Sequence, residues 1–340
     1  MKWLKGLVSA IFACWVLVGN ASTVSAQTAQ DFYKGSTVRL IVSAAAGGGY
    51  DLYARILARH MARHIGGNIV VENMGEAAGL NAANYIFNQA PKDGSVIGAL
   101  RPTLTFNQLV QPKGVRYNAK DFVWIGSMAQ TNTVIMLYRP TSPAQNLEEA
   151  KKTVVIMGAQ GKDDEGYVQP QAMNVLLGTK FKIVLGYSGI PAVDLAIRNG
   201  EVNGRQGEWT AVKTAHADWL KENKLDLLAQ IAVDKIKELP DVPRLIDLAN
   251  PGDDREIASL VSAPASLGRV IAAPPGVPAD RVAYLRAAFD ATMADPEFLA
   301  DAARLNIEIE PLSGQDLQKR VETAMAVPDR LVVRAKAMFQ

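Results

Sequence analysis

The chain has 340 residues, and its formal net charge of +2 falls to zero without Lys2 and Lys5, the only charged side chains among the first 26 residues. A neutral chain lacks the basic surface that nucleic-acid binding requires, so no nucleic-acid partner is expected. Cys14 is the single cysteine, and the residues after position 26 therefore exclude disulfides, thiol catalysis and thiolate metal sites.

Residues 1–26 are predicted to be an export signal. Two lysines precede an apolar run over residues 7–18, and Val24-Ser25-Ala26 is a small-residue cleavage site. The run is short for a transmembrane helix, and we expect cleavage after Ala26. The residues before Cys14 weakly resemble a lipoprotein signal, so lipid attachment stays an alternative.

Strand and helix patterns alternate along the rest of the chain. Short β-branched strands are followed by alanine-rich helices, which predicts an α/β fold with parallel sheets. The chain without its first 26 residues (340 minus 26, or 314) is long enough for two hydrophobic cores.

Residues 38–65 have the order strand, glycine loop, helix. Residues 38–42 are typical of a buried parallel strand, and the helical pattern begins at Asp51, which suits the N-cap position. Gly47-Gly48-Gly49 lies between them. Free N–H groups at a helix start bind anions, and glycine lets a ligand approach them closely. The stretch therefore predicts an anion site, with a simple tight turn as the alternative.

Two nucleotide-binding motifs are close to this loop in pattern. A phosphate-binding loop would end in Gly-Lys-Ser/Thr, whereas this one continues Gly49-Tyr50-Asp51. A dinucleotide fingerprint would need a third glycine where Leu52 stands, although Glu72 falls where a ribose-binding acid would be. Nucleotide binding therefore remains an alternative at this point.

A second strand, glycine loop and helix follow directly. A predicted strand over residues 68–71 leads to the loop 73–79 and to a helix over residues 80–88. Two such loops can converge at the carboxyl edge of one sheet. The next strand, residues 95–100, ends at Arg101, which can hold a carboxylate in a bidentate fork or can be a solvated loop arginine.

A further α/β unit begins near residue 122. A strand over residues 153–157 ends in a loop with Ala159 and Gln160, and a strand over residues 181–185 delivers Tyr187 and Ser188 to a helix start. The Tyr187 hydroxyl can reach a ligand or be satisfied within the core. The acidic run 163–165 lacks the spacing of a calcium loop and is expected to be solvated.

The remaining chain continues the alternation. Strands are predicted over residues 225–233 and 269–273, with a helix over residues 253–264 between them. Residues 307–309 are predicted to form a brief strand, and Ser313 begins a helix through a capping box with Asp316.

Catalytic and metal patterns are sparse. His60 and His64 have the i, i+4 spacing of zinc ligands, but no Glu follows His60, and we expect both rings to be exposed. No G-x-S-x-G motif occurs, and a Ser-His-Asp triad would have to use His60, His64 or His216. We predict no catalytic residue, no metal site and no cofactor.

Seven motifs, in order along the chain, resemble blocks of the tripartite tricarboxylate transporter solute receptors, also called the Bug family. The motifs are Gly47-Gly48-Gly49-Tyr50-Asp51 with Arg55, Val71-Glu72-Asn73-Met74-Gly75-Glu76-Ala77-Ala78-Gly79, Asp93-Gly94, Leu185-Gly186-Tyr187-Ser188-Gly189, Asn199-Gly200-Glu201-Val202-Asn203, Leu239-Pro240-Asp241-Val242-Pro243 and Ala273-Pro274-Pro275-Gly276-Val277-Pro278. Together they cover nearly the whole chain after the signal. Glu76, Ala78, Gly186 and the loop 158–163 depart from the family pattern, so the tricarboxylate of the family name is not assumed.

The resemblance implies an α/β periplasmic binding protein of type II-like architecture. Residues 27–128 with 233–340 would form lobe 1, residues 129–232 would form lobe 2, and two chain crossings, near residues 128 and 233, would form the hinge. Backbone N–H groups would hold an organic carboxylate in the cleft. The ligand-binding residues expected on lobe 1 are Gly47, Gly48, Gly49, Tyr50, Asp51, Ala77, Ala78, Gly79 and Arg101. Those expected on lobe 2 are Ala159, Gln160, Tyr187, Ser188 and Glu208.

The function that the resemblance implies is transport. A monomeric periplasmic receptor would capture a di- or tricarboxylate and deliver it to the membrane subunits of a tripartite transporter, without making or breaking a bond. An exported enzyme on the same two-lobed scaffold, or a receptor that reports to a sensor protein, is the alternative.

Overall fold

The computed structural model describes residues 27–162 and 164–339. The predicted export signal, residues 1–26, lies outside the described residues. Within the described part, no helix is both long and apolar enough to cross a membrane.

The described residues form eleven strands. They are β1 (Thr37–Val42), β2 (Asn68–Asn73), β3 (Val96–Leu100), β4 (Val123–Ser127), β5 (Thr133–Tyr138), β6 (Val155–Gly158), β7 (Phe181–Val184), β8 (Gly204–Glu208), β9 (Leu225–Ile231), β10 (Val270–Ala273) and β11 (Leu312–Ser313).

The same residues form fifteen α-helices and two short 3-10 turns. The helices are α1 (Ala29–Tyr33), α2 (Gly49–Ile65), α3 (Leu80–Asn88), α4 (Leu104–Val110), α5 (Leu147–Ala150), α6 (Glu165–Leu177), α7 (Ile190–Arg198), α8 (Trp209–Ala215), α9 (Ala217–Lys221), α10 (Leu245–Leu248), α11 (Asp253–Leu267), α12 (Ala279–Met293), α13 (Pro296–Arg304), α14 (Gly314–Met325) and α15 (Asp329–Met338); the 3-10 turns are Ala77–Gly79 and Ala119–Asp121.

The strands build two separate sheets. The first has the order β11-β4-β10-β3-β1-β2, in which β1 pairs in parallel with β2 and β3 while β10 runs antiparallel to β3 and β4. The second has the order β7-β6-β8-β5-β9, in which β6 pairs in parallel with β7 and β8 while β5 runs antiparallel to β8 and β9. Both sheets are therefore mixed, and the prediction of parallel sheets is wrong for the strands at the crossings. Parallel neighbours bring the loops after β1, β2 and β3 to one edge of the first sheet, and those after β6, β7 and β8 to one edge of the second.

Apolar burial explains why β1 and α2 form where they do. Leu40, Ile41 and Val42 are fully buried, as expected of a strand covered on both faces. Helix α2 places Leu57 and Met61, four residues apart, in the core beneath this sheet. The strand and the helix therefore hold the glycine loop between them at a defined place.

Two chain segments connect the sheets, and they pair with each other. Residues 128–132 lead from β4 to β5, and the chain re-enters the first sheet at Val270. The Met128 N–H donates to the Arg269 carbonyl at 3.1 Å, and the Arg269 N–H donates to the Ala129 carbonyl at 2.8 Å. The two crossings thus form one short ladder between the sheets.

Helices α10, α11 and α15 pack beside the second sheet. Leu245, Ile257 and Leu331 from these helices share a hydrophobic cluster with Ile135 of β5 and Met157 of β6. The predicted division assigns all three helices to lobe 1 by sequence position. The lobe bounds, 27–128 with 233–340 and 129–232, stay a prediction.

Two local predictions outside the cleft are wrong. Residues 307–309 form no strand, because Ile307 is buried in the first core and Ser127 of the sheet edge pairs with Leu312 instead. His60 is buried rather than exposed, because α13 lies across α2 and its Asp301 Oδ2 is 2.9 Å from His60 Nε2. His64 is similarly bonded to Asp295 at 3.0 Å. In residues 27–162 and 164–339, no group of three His, Cys, Asp or Glu side chains is arranged to hold a metal.

Candidate ligand-binding cleft

The first glycine loop ends in a helix start with free N–H groups. Helix α2 begins at Gly49 and has Gly48 as its N-cap, without a side-chain capping bond. The first N–H groups of a helix have no partner within it, and the positive end of its dipole lies there. This loop therefore offers donors to an anion, as the sequence predicts, although its binding role stays a prediction.

Asp51 is not the N-cap that the sequence predicts, because its carboxylate folds back into the loop. Oδ2 accepts from the Gly47 N–H and from Arg55 Nε, both at 2.9 Å, and Oδ1 accepts from Asn73 Nδ2 at 2.9 Å. Burial disfavours the charge, but these donors outweigh it and lower the pKa of Asp51 to about 2. The side chain shapes the loop from within.

We expect Asp51→Asn to lower the free energy of unfolding by about 2 kcal/mol at pH 7. A carboxyl group whose pKa is lower in the folded than in the unfolded chain stabilises the fold at any pH above the unfolded-state pKa. That contribution is present above about pH 4 and is lost as the pH falls towards 2. Urea unfolding at pH 7 and pH 3 measures it. The exposed Asp241→Asn is the control, and an equal cost for both variants at pH 7 would contradict the role of Asp51.

The second glycine loop packs directly on the first. Gly79 has φ +85°, and a Cβ at this position would lie 2.5 Å from the Ser43 carbonyl oxygen. Only glycine permits that approach. The structure therefore brings Ala77 and Gly79, in their 3-10 turn, beside the end of β1, next to the loop that holds Gly47 and Gly48; the Ala78 backbone lies in the same turn.

Arg101 lies at the same edge of the sheet. Its Nε donates to the Ser43 carbonyl at 3.2 Å, and its guanidinium carbon is 5.4 Å from the centre of the Tyr50 ring. Arg101 also counteracts the raised pKa of Glu165 on the other side of the cleft. It is thus a partly buried cation facing the second lobe, rather than a solvated loop residue.

The loop after β6 contains the same type of hydrogen bond as the first loop, from a backbone N–H to the aspartate four residues later. The Gln160 N–H donates to Asp164 Oδ2 at 3.4 Å, four residues apart, as Gly47 donates to Asp51. Ala159 is buried, and its N–H donates to the Val184 carbonyl at 2.9 Å. Each sheet therefore carries a strand–loop–helix turn that an aspartate closes.

Tyr187 and Ser188 follow β7 beside this loop. A Cβ on Gly158 would lie 3.4 Å from Tyr187 Cε2, and the Tyr187 ring packs against the hydrophobic cluster of the second lobe. Ser188 is exposed. Burial raises the pKa of the Tyr187 hydroxyl. Their contact with a ligand stays a prediction.

Glu208, at the end of β8, forms an ion pair across the cleft with Arg269, which precedes β10. Arg269 is 4% exposed, and its guanidinium carbon stacks on two rings of α2, 4.1 Å from the centre of Tyr50 and 4.7 Å from that of Tyr53. Thr210 Oγ1, after β8, donates to Glu308 Oε2, beside the first core, at 2.8 Å, and Gln111 Nε2, after α4, donates to the Lys162 carbonyl at 3.2 Å. The walls of the cleft are therefore in contact.

Glu165, at the first position of α6, is a second acid on the lobe 2 wall. Burial and the neighbouring Asp164 and Glu208 raise its pKa to about 7, against the opposing effect of Arg101 and Arg269. Its nearest donor is Gln206 Nε2 at 3.4 Å. The expectation that residues 163–165 are solvated is therefore wrong for Asp164 and Glu165, which are both partly buried. Asp164 accepts the Gln160 N–H, and Glu165 lies against Thr103 and Asn107.

This raised pKa predicts a pH dependence of folding. The folded-state pKa of Glu165 lies above the ordinary 4.5, so its contribution to stability is complete below pH 4.5 and is lost as the pH rises through 7. We expect Glu165→Gln to remove this loss, with a gain over the natural protein of at most about 3 kcal/mol at pH 8. Unfolding by urea from pH 4.5 to 8 measures it, with the exposed Glu322→Gln as control; parallel profiles for both variants would exclude the effect.

Sequence reasoning missed Arg269, Tyr53 and Glu165 as residues of the cleft. Arg269 lies more than 200 residues after the first loop, and only the return of the chain between the sheets brings it there. One signal existed for Glu165, which follows a glycine loop at a helix start, as Asp51 does. The complete arrangement places a helix start beside a buried arginine, and it defines a two-lobed α/β protein with a cleft between its sheets.

A sequence profile described as tripartite tricarboxylate transporter family receptor, TctC, matches residues 53–335. The chain belongs to this family of solute-binding receptors. It is 29% identical over 231 residues to a UPF0065 protein encoded in the TAR-I ttuE–ttuC′ intergenic region of Agrobacterium vitis, an alignment that covers 63% of this chain and 62% of the relative.

Solved structures confirm the predicted fold. An R. palustris protein, Rpa4515, described with adipate, superposes with a TM-score of 0.66 at 20% identity, covering 88% of this chain and 97% of the other. MatC from Rhodopseudomonas palustris, described with bound malate, gives a TM-score of 0.63 at 21% identity, with 89% and 99% covered. Two α/β lobes of the periplasmic-binding-protein type are therefore the architecture of this chain.

Proposed function

We propose that this chain is a monomeric periplasmic receptor that captures a small organic carboxylate between its lobes and delivers it to the membrane subunits of a tripartite tricarboxylate-type transporter. Family membership supports capture and delivery. The adipate and malate named for two proteins of the same fold support a carboxylate ligand. The di- or tricarboxylate predicted from the resemblance is one subclass of this proposal.

One observation carries the proposal. The free N–H groups at the start of α2 and the buried Arg269 guanidinium meet at one point of the cleft, where a Cβ on Gly49 would lie 3.4 Å from Arg269 Nη2. Two positive groups at one buried place are complementary to an anion. The Glu208 carboxylate already contacts this guanidinium, which supports a carboxylate as the matching chemistry.

The histidines support binding without catalysis. His60 and His64 are bonded to Asp301 and Asp295 on the far side of α2, and His216 is 3.1 Å from an Asp194 oxygen within lobe 2. All three are engaged away from the glycine loops. We therefore propose that the bound compound leaves unchanged.

Mass spectrometry of the compound released from purified protein tests this function. We expect one small carboxylate per chain and an affinity near micromolar or tighter, about −8 kcal/mol. NMR of the same compound after incubation with the protein should show no conversion. A released compound without a carboxylate, or its turnover, would overturn the proposal.

We also propose that the lobes close by a hinge at the paired crossings, where the Met128 N–H donates to the Arg269 carbonyl and the Arg269 N–H donates to the Ala129 carbonyl. The second crossing would then lie near residue 269 instead of near residue 233. A ligand that bridges both walls stabilises the closed form. Solution scattering should therefore show a smaller radius of gyration when the released compound is added back at saturation. An unchanged profile at proven saturation would argue against closure.

A further inference from the structure

Arg269 keeps donors that no protein group uses. Nη2 contacts Glu208, but among the residues that the structure describes, Nε and Nη1 have no hydrogen-bond partner although both atoms are buried. Unpaired donors on a buried charge are costly, so the site is built for a further acceptor. The two Nη2 hydrogens lie on different edges of the guanidinium, one beside Nε and one beside Nη1, and Glu208 accepts one of them. A carboxylate can therefore bind the remaining edge through two parallel bonds.

The surroundings of Arg269 narrow the position of that acceptor. The rings of Tyr50 and Tyr53 stack against the guanidinium group, and Glu208 accepts from Nη2. The start of α2, at Gly49, also lies next to Nη2. A carboxylate bound here would also face the free N–H groups of the helix. Arg101, by contrast, already donates through Nε to the Ser43 carbonyl.

The opposite wall carries charges of the other sign. Glu208 is paired with Arg269, whereas Glu165 has no Lys or Arg within salt-bridge distance in the described part of the chain. Glu165 lines a small cavity between α4 and α6, together with Thr103 and Asn107 of the first lobe. Its carboxylate therefore has no ion-pair partner among the described residues, although Arg101 and Arg269 act on it from beyond salt-bridge distance.

These charges restrict the ligand. A second carboxylate at the Glu165 end would lie against Glu165 and Glu208, where Arg101 and Arg269 do not offset the cost of a buried negative charge, as the raised pKa of Glu165 shows. Its binding would require Glu165 to stay protonated. An ammonium at that end would supply the missing partner. We infer that the ligand is a small zwitterion whose single carboxylate binds Arg269 and the start of α2, and whose amino group binds Glu165. This inference rests on the proposed function and replaces the di- or tricarboxylate by an amino acid-like compound.

Calorimetry with two matched series of probes tests the inference. One series is succinate, glutarate and adipate; the other is 4-aminobutanoate, 5-aminopentanoate and 6-aminohexanoate, in which an aminomethyl group replaces one carboxylate. We expect the best amino acid to bind the natural protein about 100-fold more tightly than the dicarboxylate of similar length, as an order of magnitude for a buried charge reversal. Glu165→Gln should reduce this preference about tenfold or more, while the exposed Glu148→Gln should leave it unchanged.

The same titrations test Arg269. Arg269→Lys keeps the charge but loses the fork, and should weaken every probe that binds, more than Arg101→Gln does. The double variant Arg269→Gln with Glu208→Gln removes both charges of this ion pair, so neither charge is left buried and unpaired. We expect it to lose binding, and thermal melting verifies that it still folds.

The outcomes separate this inference from the proposed function. Tighter binding of the dicarboxylates, or a preference that Glu165→Gln does not change, overturns the zwitterion and leaves a carboxylate receptor. A folded Arg269→Lys protein with unchanged affinity overturns the role of Arg269. Failure of every probe in both series, together with release of a compound that has no carboxylate, overturns both proposals.

Discussion

Gly268→Ala should lower the free energy of unfolding by at least about 4 kcal/mol, a large cost for a single methyl group. Gly268 has φ +71°, and a Cβ there would lie 1.8 Å from the Ala129 carbonyl oxygen. That carbonyl accepts the Arg269 N–H, so the methyl group would push apart the two crossings between the sheets. The substitution would therefore distort the crossing at residues 268 and 269, which positions the Arg269 side chain.

Gly252→Ala is a matched control for this prediction. Gly252 precedes α11 and Gly268 follows it, and both have positive φ, but a Cβ on Gly252 has no atom within 4 Å. Gly252 has ψ −139° and Gly268 has ψ −137°, a region that other residues rarely occupy. The backbone penalty alone is about 1–3 kcal/mol, which we expect for Gly252→Ala. Guanidinium chloride unfolding measures both variants. Similar costs would show that crowding at the crossings is not the cause.

Gly48→Val should abolish carboxylate binding, about 100-fold or more, without unfolding the protein. Gly48 has φ −86° and ψ 174°, an extended conformation that valine adopts readily, and its Cβ position is 3.7 Å from the Ala45 carbonyl oxygen. The added methyl groups would stand over the free N–H groups of α2, where the carboxylate is proposed to bind. Calorimetry with the best-binding probe measures the loss, and thermal melting verifies the fold.

The controls for Gly48→Val follow from the same helix. His64→Ala lies at the other end of α2 and should leave affinity nearly unchanged. Gly79→Val is unsuitable as a binding test, because its Cβ would collide with the Ser43 carbonyl and the variant should be unstable. Normal binding by folded Gly48→Val, with binding lost in Arg101→Gln, would show that the helix start does not hold the ligand.

The two glycine predictions, at Gly268 and Gly48, rest on structural features, and the sequence alone predicts only some of these features. The strands, the glycine loops and the order of the elements follow from local patterns of apolar and glycine residues, and these patterns predict β1, α2 and both loops. They do not predict the short helices α4 and α8, since each has only seven residues and little periodicity.

The class of fold and the family follow from the amino-acid sequence alone, because local hydrophobic period and loop motifs are properties of neighbouring residues. Which charges share the cleft depends instead on tertiary packing. Asp51 turns into its own loop, whereas Arg269, Glu165 and Glu208 meet although they are far apart in the chain. The pairing of buried charges depends on how two sheets and their crossings pack, and that information is not contained in any single stretch of residues.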